Sequence, residues 1–305
     1  MKKMIPGTVN FFAGSLIMFF LLGQLAFTNN LVKDAKQNET IVYQWQSPSL
    51  PEQMSFAGEA VPLDRWDVKE RLDREVLFNY YGQANVLFLL KLSNRYFPII
   101  SERLKANGVP DDFKYLCVAE SNLIPTAVSH AGAVGFWQFM KSTAPAYGLT
   151  VNSEVDERYH LEKATDAACK YFKNAYAKFG SWTAAAASYN CGQGGYNGQA
   201  VFQQNKNYYD LLLPEETNRY IYRILAFKHL LGNAESLGFT LKEEDQYQPV
   251  PHRTVKVSTS VSNLAQFAID NGTNYKMLKL MNPWLRGRSL TVKSGKAYEI
   301  KLPAE

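Results

Sequence analysis

The sequence predicts a mainly α-helical protein with a small α+β module at its C-terminal end. Three observations carry that reading. Apolar and aromatic residues recur at helical spacing through residues 68–231. From Thr254 onward the pattern changes to strand, helix, helix, strand. At 305 residues, with 46% hydrophobic and 20% charged residues, the chain is long enough for one good core plus a smaller unit.

The elements follow in order. Residues 1–27 read as a membrane anchor or signal segment. Lys2 and Lys3 precede a run, residues 11–27, that is apolar except for Gly14, Ser15, Gly23 and Gln24. Gln24-Leu25-Ala26-Phe27 fits a cleavage site poorly, which favours an uncleaved anchor, although the run is near the short limit of about 17–25 residues for a span. No cysteine follows it, so a lipoprotein anchor is not expected. Residues 28–65 read as a polar linker marked by Pro48, Pro51 and Pro62. The helical body is placed at 66–241. A helix is predicted over 68–81 from Leu72, Val76, Leu77 and Tyr80. A second, over 86–104, carries Leu87, Leu89, Leu90, Tyr96, Ile99 and Ile100, and Pro98 is expected to kink or divide it. Such stripes read as core rather than ligand contacts. Gly108-Val109-Pro110 breaks the chain, and Asp111 or Asp112 is placed to start a helix running to Glu120.

The stretch 120–149 organises the rest. Pro125 disfavours the helical region for Ile124, so the helix should stop within a few residues of Glu120. A carboxylate there sits near the negative end of the helix dipole and beside Phe113, Tyr115, Leu116 and Val118. Both effects raise its pKa, as a general acid working near neutral pH requires. On position alone, a solvated carboxylate at a frayed helix end fits better, since most glutamates are exposed. Gly132 and Gly135 then suggest a turn or a close backbone approach. Trp137-Gln138 offers a stacking face and an amide, which suits a sugar ring carrying hydroxyl and acetamido groups. Ser142-Thr143-Ala144-Pro145 reads as a helix start.

Beyond Leu149, Asn152-Ser153-Glu154-Val155-Asp156-Glu157-Arg158 is polar, and its acidic residues are expected to hold loops through Arg158 or to cap the next helix. Residues 165–179 form an amphipathic helix. Residues 181–190 are alanine-rich and deliver Tyr189 and Asn190 to the end of a helix, where Gly192-Gln193-Gly194-Gly195 is expected to turn sharply. A further helix, 218–231, carries Tyr220, which is compatible with ordinary core. Residues 242–252 read as a second linker ending in Pro249-Val250-Pro251. In the module at 253–305, Thr254-Val255-Lys256-Val257 alternates as a strand, helices fall near 264–269 and 275–281, and Tyr298-Glu299-Ile300-Lys301-Leu302 closes it.

The net charge of +5 is spread out, with no Lys/Arg block; it suits an anionic polymer, and no nucleic-acid motif is present. An odd count of three cysteines, Cys117, Cys169 and Cys191, predicts buried free thiols. The four histidines lack paired spacing, so no metal site is expected, and His130 reads as a surface residue.

Three motifs in order now point to a family. Glu120-Ser121, then Ser129-x-x-Gly132-Ala133-x-Gly135-x-x-Gln138-x-Met140-x-x-Thr143-Ala144, then Tyr189-Asn190-Cys191-Gly192, then Glu216-Thr217-x-x-Tyr220, resemble the soluble-lytic-transglycosylase (SLT) domain. The Phe136-Trp137-Gln138-Phe139-Met140 run is similar to the membrane-bound D-type subgroup. The C-terminal order, down to Leu280-Met281-Asn282-Pro283-Trp284-Leu285, resembles the LysM glycan-binding module, with the usual Gly-Asp-Thr-Leu start replaced by Val261-Ser262-Asn263-Leu264. The resemblance implies a lysozyme-like catalytic fold with a βααβ module, and cleavage of the β-1,4 bond between N-acetylmuramic acid and N-acetylglucosamine in peptidoglycan without a cofactor. It implies Glu120 as acid and then base, with Ser121, Ser129, Gln138, Tyr189, Asn190 and Tyr220 as substrate-binding residues. The expected location is the periplasmic face of the bacterial envelope, held to the membrane by the N-terminal segment. The module is expected to tune affinity, so that a chain ending near Tyr247 folds and still cleaves glycan. Two other readings fit the same residues. A goose-type lysozyme would hydrolyse the bond, but that chemistry wants a second carboxylate and no motif supplies one. A non-catalytic wall-binding protein would not need the intact Glu120, Gln138, Tyr189 and Asn190.

Overall fold

Helix α6 (Glu215–Gly232) is the packing centre of the protein, because its apolar residues occupy every side of the helix. Ile221, Ile224, Leu225, Ala226 and Leu230 are buried, along with Tyr220, Tyr222 and Phe227. A helix apolar all round must be enclosed by others. Around it lie α1 (Trp66–Tyr81), α2 (Gln83–Ala106), α3 (Phe113–Ser121) and α5 (Trp182–Phe202), with α4 (Leu161–Phe179) packed between α2 and α5. The structure is a computed structural model and describes residues 46–304. The segment read as an anchor, residues 1–27, lies outside them. Among the described residues no helix is long and apolar enough to cross a membrane.

The fold class is as expected, mainly helical with a small strand–helix–helix–strand module. Several local expectations are corrected. Pro98 neither ends nor divides α2, which runs unbroken over Gln83–Ala106. Leu89, Leu92, Ile100 and Leu104 are buried on both sides of the proline, and that burial outweighs a lost backbone bond. Asp112 precedes α3 but makes no capping bond. Its carboxylate instead accepts from the Ala57 N–H and from Lys228 Nζ, both at 2.7 Å, tying a hairpin and α6 to the start of α3. The expected turn over 192–195 is confined to one residue: Gly192 (φ 75°, ψ 149°) kinks α5, which then resumes. Ala144–Tyr147 is a single 3-10 turn with Pro145 in it rather than a full helix.

The described parts of the two stretches read as linkers, residues 46–65 and 242–252, pack against the body, and residues 28–45 lie outside the described residues. Residues 48–65 fall in the same compact unit as the helical body. In that stretch β1 (Ser55–Phe56) and β2 (Glu59–Ala60) form an antiparallel hairpin, and Phe56 is fully buried against Phe113. The prolines there read as spacers, but one phenylalanine had a slot to fill. Glu59, on β2, caps α5: its carboxylate accepts from the N–H groups of Trp182 (2.6 Å) and Thr183 (2.9 Å) and from the hydroxyls of Ser181 and Thr183. A negative charge from a distant strand thus satisfies the free donors at the helix start. In the second linker Tyr247 lies along α2, its N–H donating to Lys91 O at 3.2 Å and its ring under the cations of Lys91 and Arg95.

The C-terminal module pairs β3 (His252–Val257) with β4 (Tyr298–Pro303) in antiparallel register, Val255 opposite Ile300. Between them come α7 (Leu264–Asp270) and α8 (Tyr275–Met281). Asn263, in the altered start sequence, caps α7 through the N–H groups of Ala265 and Gln266. Buried Asn282 joins the end of α8 to Lys301 of β4 through both ends of its amide.

Candidate functional site

Glu120 is the penultimate residue of α3, and the chain leaves the helix at once. Asn122 and Leu123 both adopt left-handed backbone (φ 50° and 57°), and the Asn122 N–H closes on Val118 O. The left-handed region costs a branched residue roughly 1–2 kcal/mol, and full burial of Leu123 holds it there. Glu120 is therefore fixed at a helix end and partly buried. Burial pushes its carboxyl from 4.5 up to about 7, opposed by the hydrogen bond from Tyr220 and by the charge of Arg223, and reinforced by Glu216.

Tyr220 Oη donates to Glu120 Oε1. That ring is only 2% exposed, so its hydroxyl has this one charged partner in an apolar setting. Three residues earlier on the same face of α6, Thr217 donates from Oγ1 to Asn190 Oδ1 at 2.8 Å. The Tyr189-Asn190 pair and the Glu216-Thr217-x-x-Tyr220 segment are thereby locked together. Tyr189 Oη donates to Trp137 O at 2.7 Å, and its ring is enclosed by Phe139, Tyr171 and Phe172.

The glycine-rich segment forms a folded loop. Single bridges join Val128 to Val134 and Val134 to Phe139. Gly135 (φ 78°) is packed so closely on the next loop that a Cβ would stand 2.2 Å from Arg158 O. Gln138 is itself left-handed (φ 48°), and its amide donates to Gly135 O at 2.8 Å and Ala127 O at 3.3 Å. Ser129 is exposed, and its hydroxyl accepts from the Ala133 N–H at 3.0 Å, closing the turn.

The sequence-predicted residues divide on this geometry. Glu120 and Tyr220 meet directly, Asn190 and Tyr189 are bonded to the elements on either side, and Gln138 and Ser129 shape one loop. Two expectations are corrected. Ser121 is buried and bonds back to Cys117 O at 3.1 Å, so its hydroxyl is spent inside α3. Trp137 is fully buried (0% exposed), its indole N–H donating to Thr165 Oγ1 at 2.9 Å, so it offers no stacking face. Cys117 and Cys169 are buried free thiols as expected, and Cys191 is partly buried.

Sequence reasoning missed a charge cluster behind Glu120. Glu75 of α1 is buried and holds Arg219 (Nε–Oε1 2.6 Å) and Arg223 (Nε–Oε2 3.6 Å), which also pairs with exposed Glu216 at 3.0 Å. The available signal was a carboxylate between Leu72 and Val76 on a buried stripe, where charge demands a partner. The expectation that acidic residues of 152–158 hold loops through Arg158 is met by Asp156. Asp156 and Arg158 form a buried two-bond pair, Nε–Oδ1 2.9 Å and Nη2–Oδ2 2.7 Å. Among the described residues no group of three or more His, Cys, Asp or Glu side chains is placed to hold a metal ion.

Comparison with known proteins agrees with the motifs. Residues 97–211 match the transglycosylase SLT domain, and residues 253–305 match the soluble lytic transglycosylase C-terminal LysM-like domain. The membrane-bound lytic murein transglycosylase D of Escherichia coli (strain K12) is 28% identical over 206 residues, 65% of this chain and 44% of that protein. The peptidoglycan transglycosylase gp16 of Escherichia phage T7 is 34% identical over 138 residues, 44% of this chain and 10% of that protein. This chain therefore spans less than half the length of these relatives. Among solved structures, the 70 kDa soluble lytic transglycosylase of Escherichia coli aligns with a TM-score of 0.40 at 15% identity, over 61% of this chain and 37% of that one, a likeness too slight to carry an argument.

Proposed function

We propose that this chain, which carries a transglycosylase SLT domain with a LysM-like C-terminal domain and is homologous to the membrane-bound lytic murein transglycosylase D, is a peptidoglycan lytic transglycosylase. The observation that carries the proposal is Glu120: one carboxyl group, raised to about 7 by burial and held by Tyr220, at the meeting point of the three motif segments. Near neutral pH such a group exists in both forms, so it can give a proton and take one back.

Glu120 starts protonated and donates to the oxygen of the β-1,4 bond as that bond breaks. Positive charge develops at the anomeric carbon of N-acetylmuramic acid, and the sugar's own N-acetyl oxygen stabilises it. Tyr220 keeps the resulting carboxylate oriented, while Tyr189, Asn190, Gln138 and Ser129 shape the surroundings of the sugar. Glu120 then removes the proton from the 6-hydroxyl of the same sugar, whose oxygen closes on the anomeric carbon. The proton returns to Glu120, no water is consumed, and the product ends in a 1,6-anhydro ring.

Glu120→Gln keeps the hydrogen bond from Tyr220 but has no proton to exchange. It is expected to bind peptidoglycan and to lose nearly all turnover, since general acid–base help is worth about 10²–10⁴ in rate and here serves two steps. Mass spectrometry of the digest should find anhydro ends. Reducing ends carrying oxygen-18 from labelled water would overturn the proposal in favour of a lysozyme-type hydrolase. We place the protein in the bacterial cell envelope, anchored through the apolar run at residues 11–27. Cell fractionation should leave the full chain with membranes after a high-salt wash, and a soluble form starting near Thr28 would refute the anchor.

A further inference from the structure

The C-terminal module shares a hydrophobic core with the catalytic body. Val257, Leu264, Leu278, Leu285 and Ile300 of the module form one buried cluster with Val155, Tyr159 and Val134. Val134 belongs to the glycine-rich loop, bridged to Phe139 beside Gln138. Around this core the backbone is stitched across the seam. The N–H groups of Arg286 and Gly287 donate to Glu154 O at 2.7 and 3.0 Å, and the Asp156 N–H donates to Trp284 O at 2.9 Å. The Glu154 carboxylate accepts from the Ser289 hydroxyl and the Thr291 N–H, and Lys301 pairs with Glu162. The Arg286 guanidinium lies 4.6 Å over the Tyr159 ring.

Arg158 stands between this seam and the loop. On the module side it is clamped by Asp156, the residue bonded to Trp284. On the loop side its Nη1 donates to Phe139 O at 3.1 Å, the carbonyl that also receives the Val134 N–H, and its own carbonyl is the atom against which Gly135 packs. Arg158 is only 6% exposed, so these bonds are made in a desolvated setting where a misplaced guanidinium has no water to fall back on.

We propose that Arg158 is a positioning residue through which the C-terminal module holds the loop bearing Ser129 and Gln138 in its glycan-binding shape. The module then supports the wall of the site rather than serving as a tethered accessory. This inference rests on the transglycosylase reading above, and it opposes the expectation that a chain ending near Tyr247 would work unaided. A support that sets the ground-state binding surface acts chiefly on KM, whereas loss of the acid acts on kcat.

Two substitutions approach the joint from opposite sides in the full chain. Arg158→Lys keeps the charge opposite Asp156 but cannot fork to Asp156 and Phe139 O together. Gly287→Ala wedges the seam, since its Cβ would lie 3.0 Å from Glu154 Cα, and touches nothing in the loop. Each is expected to raise KM for peptidoglycan about 10-fold with kcat within about 3-fold of the parent, and the double variant to do little more than either alone. Hydrogen exchange at the Val134 and Gly135 amides should quicken in both. If Gly287→Ala leaves KM and those amides unchanged, the proposal is overturned; that variant decides alone should Arg158→Lys fail to fold. Glu120→Gln, run beside them, separates the two readings. Turnover that survives it refutes the chemistry, while a dead Glu120→Gln with an unmoved Gly287→Ala refutes only the support role.

Discussion

Thr217 donates its hydroxyl hydrogen to the side-chain oxygen of Asn190 at 2.8 Å, and by that bond the end of one helix sets the rotation of another. Because Tyr220 follows Thr217 by three residues on α6, the bond also fixes where the Tyr220 hydroxyl meets Glu120. Thr217→Val keeps the shape and removes the donor. It should cost about 1–3 kcal/mol in urea unfolding by leaving Asn190 short of a partner, and it should lower kcat more than a substitution of equal stability cost in α1.

The pH dependence has a definite sign. A general acid must be protonated, so kcat/KM should fall as pH rises through about 7, the value to which burial lifts Glu120. Tyr220 and Arg223 hold that value down, and Glu216 holds it up. Tyr220→Phe and Arg223→Gln should therefore move the alkaline limb to higher pH, and Glu216→Gln to lower pH. A limb that moves the same way in all three would refute this electrostatic account.

Glu120 should also weaken the fold that needs it. Its carboxyl binds a proton more tightly folded than unfolded, so its contribution is present in full below about pH 4.5 and lost as pH rises to about 7. Above that, the ionised group costs on the order of 3 kcal/mol, at 1.36 kcal/mol per pH unit. Glu120→Gln should raise the melting temperature at pH 8 and have little effect at pH 4. Equal shifts at both pH values would exclude this linkage.

Gly135→Ala should be among the most damaging single changes in the loop. The added carbon would stand 2.2 Å from a backbone oxygen, and the residue is already left-handed. A loss of at least about 2 kcal/mol is expected, with a larger loss of glycan binding than Gly132→Ala gives. Gly132 is also left-handed but has open space around it.

Much of this was legible in the chain. The apolar stripes placed most helices to within a few residues, though not the second half of α5 beyond Gly192, and Pro125 with the helix propensity before it placed Glu120 at a helix end. The βααβ order was readable from strand alternation and the two short helical stretches between. What escaped was long-range. Tyr220 reads as core because it is core, and only the fold brings Glu120 to its hydroxyl. Trp137 reads as a sugar platform because exposure has no local signature; Thr165, far along the chain, takes its N–H. Glu154, Asp156 and Arg158 read as loop holders or caps, but nothing in their neighbourhood announces that residues 284–291 will cover them. Pro98 misled for the opposite reason, a strong local rule overridden by burial on both sides.

The capping of α5 by Glu59 sets where a working fragment can begin. The family match starts at residue 97, and a fragment cut there would look complete by similarity. It would lack the one carboxylate that takes the first donors of the helix bearing Tyr189 and Asn190, and also Glu75, which anchors Arg219 and Arg223. The boundary inherited by descent and the boundary imposed by electrostatics differ here by some forty residues, from Glu59 to Phe97. A fragment that begins beyond Glu75 would thus lose the supports of a site whose own residues it keeps.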